Sequence, residues 1–298
     1  MDASERADTE AILEAWAARR LSSPIAVMEL LITTGDAERA ARCIEEQMGA
    51  PGTRRYDELY ELLSANREGC ARAAAIARRF EESPWPAGAI ERIAATRNRF
   101  DQSVGECEEA SVALYSLGNA HMLRAATNEV VRKMRDWGLL GRDKDVLQIG
   151  CGIGRFEVAL SPHVRRAVGI DVSPEMIAAA RRRAGGLENV HFAVGSGADL
   201  APMGDASFDC VYAVDSMPYI VDAGFEVVDA YFRDAARVLR DGGELVIFEF
   251  SYRGDLGMDR ADVGRLSEVH GFDVVFAGIS PFELWNGHAF RMRLQGRG

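Results

Sequence analysis

The stretch that most constrains the fold is Val146–Phe156, where a short apolar run leads into a glycine-rich turn. The run from 146 to 149 predicts a buried strand, and the residues up to about Leu160 predict a helix that ends at Pro162. Three glycines occupy alternate positions between the two, Gly150, Gly152 and Gly154. Glycine allows sharp turns and close approach of a ligand because it has no Cβ, and a helix start presents unpaired N–H groups. Taken alone, the pattern fits either a ligand-binding loop or a tight turn without a ligand.

A second apolar run, from Ala167 to Ile170, predicts the next strand and ends on Asp171. This acid follows the glycines by about twenty residues, where nucleotide-binding folds place a carboxylate on the ribose hydroxyls. A carboxylate suits that position because it can accept hydrogen bonds from two adjacent hydroxyls. The alternative is that Asp171 caps the following helix, although Ser173 followed by Pro174 already provides a cap. The pattern therefore favours a nucleoside-binding site.

Strands and helices continue to alternate after Asp171. Further strands are predicted at Val190–Val194, Phe208–Val214 and Glu244–Phe250, with a closing pair at Phe272–Phe276 and Ala289–Leu294. Helices are predicted at Pro174–Arg183, Phe225–Arg240 and Asp259–His270. This alternation predicts an α/β fold in which helices cover both faces of a parallel sheet and ligands bind at the carboxyl ends of the strands.

Four stretches resemble the successive motifs of class I S-adenosylmethionine-dependent methyltransferases, in the same order and spacing. They are Val146–Phe156, Gly169–Met176, Ala206–Val211 and Ala236–Leu245. The resemblance covers about 119 to 293 and implies a Rossmann-like sheet of seven mostly parallel strands with an antiparallel last strand. It also implies S-adenosylmethionine as the cofactor and methyl transfer as the activity. A nicotinamide-dependent oxidoreductase is disfavoured, because the third glycine of a dinucleotide-binding loop would fall on Arg155.

By this resemblance, the cofactor-binding residues are Gln148, Gly150, Cys151, Gly152, Gly154, Asp171, Val172, Met176, Ser196, Gly197, Ala198, Asp199 and Val214. Two of them depart from the family pattern. Gln148 occupies a position that is usually acidic and reaches the amino-acid end of the cofactor. Ser196 replaces the acid that commonly holds the adenine amino group, so Ser196, Asp199 or the backbone at Gly197 would bond the adenine edge.

The resemblance places the methyl acceptor near 214–219, the segment that follows the fourth strand. Asp215 is the first catalytic candidate, either as a base or as a group that orients the acceptor. The alternative is that Asp215 caps the turn before Pro218. Tyr219 is a further catalytic candidate. Other residues that could line the pocket are Glu249, Tyr252, Trp285 and His288.

The segment before the first strand folds over the cofactor in many members of the family. Tyr115, Asn119 and His121 are therefore lid candidates, with simple core packing as the alternative for Tyr115. His121 is also a catalytic candidate, because an imidazole can take up a proton near neutral pH, although a lone histidine is often structural.

Residues 1–100 predict an all-α N-terminal domain, since apolar residues recur at spacings of three and four. Residues 101–118 predict a polar connector or lid, and residues 119–298 predict the methyltransferase domain. The helical domain could cap the active site, dock a partner or form a homodimer. Two short helices between Pro24 and Met48 invite comparison with DNA-binding motifs, but Glu38, Glu45 and Glu46 make the second helix too acidic for phosphate contact.

The composition narrows the class of acceptor. The formal net charge is −11, so the attraction to phosphates that dominates nucleic-acid binding is absent overall. Five cysteines, an odd number without paired spacing, suggest reduced thiols, a cytoplasmic location and no metal site. No apolar run approaches the length of a membrane span, about 18 residues. We therefore expect a soluble enzyme that methylates a small molecule, with a non-catalytic binding partner or a protein methyltransferase as the alternatives.

Overall fold

The computed structural model describes residues 3–48, 56–82 and 85–296, and the chain forms two compact units. The helical unit consists of Met1–Pro84, Gln102–Ala126 and Phe282–Asn286. The sheet unit consists of Trp85–Asp101, Thr127–Pro281 and Gly287–Gly298. The boundaries of these units differ from the predicted domain boundaries. Residues 85–101 belong to the sheet unit, and residues 102–126 belong to the helical unit. The role predicted for residues 1–100 stays a prediction.

Helices dominate the first part of the chain. They are α1 (Ala3–Ala17), α2 (Ser23–Thr34), α3 (Ala37–Gln47), α4 (Tyr56–Ala65), α5 (Arg67–Glu82), α6 (Ala89–Glu106), α7 (Glu108–Val112) and α8 (Ala120–Asp136). A short 3-10 turn, Leu114–Ser116, lies between the last two. The core of the helical unit is apolar and fully buried, and it includes Leu13, Leu30, Ile44, Leu59 and Leu117. None of the helices in the described ranges is both long and apolar enough to cross a membrane.

Local sequence explains where α2 ends and where α3 begins. Gly35 ends α2 in a left-handed conformation with φ +62°, and the Asp36 side chain caps α3 by accepting from the backbone N–H of Arg39. The amphipathic segment that ends at Glu82 forms two helices, α4 and α5. They separate at Asn66, whose side-chain amide donates to the carbonyl of Leu62 at 2.7 Å. Predicted boundaries at Gly49, Pro51, Gly52, Thr53, Ser83 and Pro84 lie outside the described residues.

The stretch predicted as a polar connector or lid, 101–118, begins inside a helix, and its connecting role stays a prediction. Helix α6 continues through Arg99 as far as Glu106, and α7 begins at Glu108. The exposed polar residues of this stretch lie on one side of α6 and do not mark a break in the helix. The other side carries the buried residues Thr96, Arg99, Ser103 and Val104.

The sheet unit contains seven strands among its described residues. They are β1 (Asp145–Ile149), β2 (Arg166–Asp171), β3 (Val190–Val194), β4 (Phe208–Val214), β5 (Leu239–Phe248), β6 (Phe272–Ile279) and β7 (Ala289–Leu294). Their order across the sheet is β3-β2-β1-β4-β5-β7-β6. The first five strands are parallel to one another, and β7 is antiparallel to both β5 and β6. The predicted fold class is confirmed.

Helices connect most of the successive parallel strands, as the alternating pattern predicted. They are α9 (Arg155–Leu160), α10 (Pro174–Arg183), α11 (Met217–Ala223), α12 (Phe225–Val238) and α13 (Leu256–His270). Several predicted boundaries need correction, including the start of α13 at Leu256 rather than Asp259 and the end of β6 at Ile279 rather than Phe276. Helix α12 ends at Val238 rather than Arg240, since Leu239 already pairs with Phe208 ahead of an irregularity in the β4–β5 register. The segment after β4 is not simply a loop, because α11 starts at Met217.

Burial on both faces of the sheet fixes where a ligand can bind. All five residues of β1 are buried, and the core against one face includes Leu147, Val211, Ile247, Phe232 and Phe290. Parallel sheets need such cover on both faces. The chain leaves β1 toward β2 on one side and returns to β4 on the other side. The strand order therefore reverses at the carboxyl ends of β1 and β4, which is where folds of this type bind their ligands.

Candidate cofactor and acceptor site

The glycine loop after β1 turns back on the end of β2. The backbone N–H groups of Gly150 and Cys151 both donate to the carbonyl of Ile170, at 2.8 and 3.0 Å. Gly150, Gly152 and Gly154 have left-handed φ angles of +67°, +52° and +69°. A Cβ at Gly150 would lie 2.3 Å from the Cβ of Ser216, so the loop requires glycine both for conformation and for space.

Asp171 joins the glycine loop to the end of β2. Its Oδ2 accepts from the backbone N–H of Gly152 at 2.8 Å, and its Oδ1 accepts from the N–H of Ser173 at 2.9 Å. Burial raises the pKa of Asp171, while these two hydrogen bonds act in the opposite direction. Each carboxylate oxygen has a second lone pair, so Asp171 can still accept from a ligand.

The cap of α10 comes from Ser173 rather than Asp171. The Ser173 hydroxyl accepts from the backbone N–H of Met176 at 3.0 Å, and Pro174 occupies the first turn. Ser173 in turn donates to Asp101 at 2.6 Å. Asp171 is therefore not needed as the side-chain cap of this helix.

The loop after β3 lies beside the end of β2. The N–H of Gly195 donates to the backbone carbonyl of Asp171 at 2.8 Å. Within the loop, the Ser196 hydroxyl donates to Asp199 at 3.0 Å and accepts from the N–H of Ala198 at 3.1 Å. The two side chains predicted for the adenine edge are thus bonded to each other, on an exposed turn with φ +79° at Gly197.

Residues 89–101 of α6 contact these loops within the sheet unit. Asp101 accepts from the N–H of Glu175 at 3.3 Å, in addition to the hydroxyl of Ser173. A Cβ at Gly197 would lie 2.6 Å from Cγ2 of Ile93. Sequence reasoning missed this segment. The signal that could have found it is the helical spacing of Ala89, Ile93, Thr96 and Phe100.

Asp215 ends β4 in a left-handed conformation with φ +58°. Its carboxylate accepts from the hydroxyl of Tyr252 at 2.6 Å, and burial raises its pKa. Helix α11 has Ser216 at its N-cap position, with no side-chain cap, and the Ser216 hydroxyl donates instead to the carbonyl of Ile149 at 2.7 Å. The carboxylate of Asp215 is therefore bonded to Tyr252 and does not serve as the cap before Pro218.

Two further predicted pocket residues flank Asp215. Tyr219 makes edge-on contacts with Phe100 and with Tyr252, at centroid distances of 5.0 and 5.9 Å. Glu249 ends β5 with φ +67° and accepts from the N–H of His288 at 2.9 Å. Burial, together with the nearby carboxylate of Asp215, raises the pKa of Glu249 to about 7.

Residues 147–247 match the family model described as a methyltransferase domain. A demethylmenaquinone methyltransferase from Tropheryma whipplei (strain Twist) is 30% identical over 158 residues, which span 52% of this chain and 59% of that relative. Magnesium protoporphyrin IX methyltransferase from Synechocystis PCC 6803 shares the fold with a TM-score of 0.51 at 17% identity, covering 68% of this chain and 100% of that structure. The phosphoethanolamine N-methyltransferase 1 of Haemonchus contortus gives a TM-score of 0.53 at 17% identity, covering 70% of this chain and 50% of that structure.

The chain carries a class I S-adenosylmethionine-dependent methyltransferase domain. The family and the cofactor predicted from the motifs are thereby confirmed. The individual site residues stay predictions, but the structure brings most of them to one edge of the sheet. The loops that meet there are 148–154, 171–176, 196–199 and 214–219.

A buried side-chain oxygen with no hydrogen-bonding partner in the described part of the chain indicates that the residues of this methyltransferase domain fit its cofactor. Gln148 is only 1% exposed, and its side-chain oxygen has no hydrogen-bonding partner among the described residues. Its strand neighbour Tyr212 donates to the carboxyl group of Glu157 at 3.4 Å. Burial raises the pKa of Glu157 to about 8. An amide in place of the usual acid therefore keeps an acceptor at this position without adding charge beside a buried carboxyl group.

The predicted lid residues of the methyltransferase belong to the helical unit. Tyr115 is buried and stacks on Trp285 with ring centroids 6.3 Å apart. The Asn119 side chain caps α8 by accepting from the N–H groups of His121 and Met122. His121 itself is exposed. Core packing accounts for Tyr115 and Trp285 and capping accounts for Asn119, while a lid or catalytic role for His121 stays a prediction.

Proposed function

We propose that this protein transfers the methyl group of S-adenosylmethionine to a small-molecule acceptor bound at the carboxyl ends of β4 and β5. The observation that carries the proposal is the meeting of the glycine loop, Asp171 and Asp215 at one edge of the sheet. When bound, S-adenosylmethionine supplies a methyl group on a positively charged sulfur. The glycine loop, Asp171 and the turn from Ser196 to Asp199 would hold it.

The residues beyond the cofactor loops would position the acceptor. Asp215 is fixed by Tyr252, and Tyr219 is fixed by aromatic contacts on two sides. Holding two reactants in line can supply roughly 7 kcal/mol of rate acceleration, so such positioning is the main task of the protein. A base is needed only if the acceptor carries a proton that must leave.

A small acceptor is favoured by charge and by the relatives. The net charge of −11 disfavours nucleic acid. The relatives described above are named for demethylmenaquinone, magnesium protoporphyrin IX and phosphoethanolamine, all of which are small molecules. The helical unit would cap the site or form a homodimer, and neither role requires a membrane.

Calorimetric titration with S-adenosylmethionine and S-adenosylhomocysteine tests the proposal first. Binding of both at micromolar concentrations, followed by release of S-adenosylhomocysteine in the presence of small-molecule acceptors, is the expected result. Failure of the folded protein to bind either compound would contradict the proposal. The protein would then have a non-catalytic role, and the helical unit would be the part that carries it.

A further inference from the structure

Two acidic residues directly follow neighbouring strands of the sheet unit, and both have the same unusual backbone conformation. Val214 of β4 pairs with Phe248 of β5, and the next residue on each strand is an acid, Asp215 or Glu249. Both acids have left-handed φ angles, +58° and +67°, a conformation that is unfavourable for a non-glycine residue. The N–H of Asp215 also donates to the carbonyl of Phe248 at 2.9 Å. The two acids are therefore fixed side by side at the edge where the acceptor is expected.

Each carboxylate has one oxygen that is held and one that is available. Oδ1 of Asp215 accepts from the Tyr252 hydroxyl, and Oε2 of Glu249 accepts from the N–H of His288. The ring Nδ1 of His288 is 3.5 Å from the same Glu249 oxygen. Across the described part of the chain, Oδ2 of Asp215 and Oε1 of Glu249 have no hydrogen-bonding partner. A ligand with several donors could therefore bridge the pair.

The surrounding charged groups leave the pair with excess negative charge. The positive charge of Arg155 lowers the pKa of Asp215, against the effect of burial. The guanidinium of Arg155 already donates to the hydroxyl of Thr127 at 3.2 Å. Arg253 is engaged by two carboxylates of its own, Asp259 and Asp262. Asp259 adds to the negative field at Glu249. An anionic acceptor such as a carboxylate or phosphate would be repelled at this edge.

Aromatic rings complete the surroundings of the pair. Tyr219 lies between Phe100 and Tyr252, and Tyr252 bonds to Asp215. Carboxylates combined with aromatic rings attract organic cations. A divalent metal ion would need a further ligand, and the described residues contain no group of three side chains able to hold one.

We propose that the acceptor is an amine, that Asp215 holds its ammonium form, and that Glu249 takes the proton that must leave before methyl transfer. This proposal rests on the proposed function, because it names the acceptor class of the same site. Glu249 suits the second task better than Asp215. The Tyr252 hydroxyl stabilises the charged form of Asp215, whereas the environment of Glu249 raises its pKa to about 7.

The chemical step balances without another reactant. An ammonium nitrogen has no lone pair, so it first passes one proton to the carboxylate of Glu249. The nitrogen lone pair then forms the new bond to the methyl carbon, while the carbon–sulfur bond breaks and its electron pair stays on sulfur. The product is a methylated ammonium ion, and Glu249 returns its proton to solvent.

Matched probes test this acceptor class on the protein saturated with S-adenosylhomocysteine. The probes are 2-phenylethylamine, 2-phenylethanol and 3-phenylpropanoate, together with the corresponding amine, alcohol and carboxylate on a cyclohexyl and a straight-chain scaffold. Calorimetry should rank the amine first in each series. Asp215→Asn and Glu249→Gln should each weaken amine binding by about ten- to hundredfold, the effect of removing a bond to a charged group. Alcohol binding should not change, and Glu188→Gln, at an exposed carboxylate, is the matched control.

A kinetic readout separates the base from a merely structural residue. With an amine that is turned over, the rate should rise with pH through the ionisation of Glu249 near pH 7, and this rise should be lost in Glu249→Gln. Equal or tighter binding of alcohols or carboxylates, or no binding of any amine to the loaded protein, would overturn the amine proposal. Failure to bind S-adenosylhomocysteine would instead overturn the proposed function.

Discussion

The carboxylate of Asp171 accepts a hydrogen bond from the backbone N–H of Gly152 at 2.8 Å. This bond joins two segments 19 residues apart in sequence, the glycine loop after β1 and the end of β2. The same side chain accepts from the N–H of Ser173 at the start of α10. Asp171 therefore fixes the backbone of two cofactor loops, in addition to the ribose contact that its position in the motif implies.

Replacement of this residue should weaken the cofactor site. Asp171→Ala leaves the N–H groups of Gly152 and Ser173 without their acceptor, and we expect S-adenosylhomocysteine binding to weaken by roughly 1–3 kcal/mol. Calorimetry gives the affinity, and a thermal melt shows whether the variant is folded. Asp171→Asn, which keeps one acceptor oxygen, should lose less. A folded alanine variant with unchanged affinity would remove Asp171 from the site.

Glycine at position 150 is required for two separate reasons, which a pair of variants can distinguish. Gly150 and Gly271 both have left-handed φ angles, +67° and +74°, so alanine at either should cost roughly 1–2 kcal/mol. Only at Gly150 would the new Cβ collide, 2.3 Å from Ser216, whereas Gly271 has nothing within 4 Å. We expect Gly150→Ala to lower the urea midpoint clearly further than Gly271→Ala and to impair S-adenosylhomocysteine binding. Equal losses would show that the contact with Ser216 is unimportant.

The parallel core of the fold could be predicted because its strands are short apolar runs with clear ends. β3 and β4 have the predicted bounds, Val190–Val194 and Phe208–Val214. The start of β5 could not be predicted, since the stretch from Arg240 to Gly243 consists of polar residues and glycines. This stretch belongs to the strand only because Leu239 pairs with Phe208 of β4. Tertiary pairing overrode local preference there.

The site was predictable as a set of motif positions but not as a set of contacts. The sequence pattern identified Asp215 and Glu249 separately as residues at strand ends. It carried no sign that Tyr252, 37 residues after Asp215, donates to that acid. The position of residues 89–101 of α6 was also missed, because helix spacing predicts a buried face but not the partner of that face.

Glu157 should make the stability of the sheet unit depend on pH. Its pKa rises from an ordinary value of 4.5 to about 8 in the folded protein, chiefly through burial, so the native state keeps a proton that the unfolded state has lost. The associated stability is full below about pH 4.5 and is lost as pH rises toward 8, with a maximum slope of about 1.4 kcal/mol per pH unit. Urea unfolding at pH 5, 6.5 and 8 should show this decline. Glu157→Gln should reduce it, and Glu188→Gln should not. A decline of equal size in Glu157→Gln would assign it to other groups.

Tyr252 should set the pH range in which Asp215 is charged. Its hydroxyl donates to Asp215 at 2.6 Å and lowers the pKa of that acid, against the effect of burial. Without the bond, the pKa of Asp215 should rise further, and Asp215 would become charged only at a higher pH. In Tyr252→Phe, the pH below which the S-adenosylhomocysteine complex loses its binding of 2-phenylethylamine, the acid limb of the binding curve, should move upward. The shift should be less than about one pH unit, because Tyr252 is 58% exposed. Tyr60→Phe, in the helical unit, is the matched control. An unshifted limb in Tyr252→Phe would show that the hydroxyl does not govern the ionisation of Asp215.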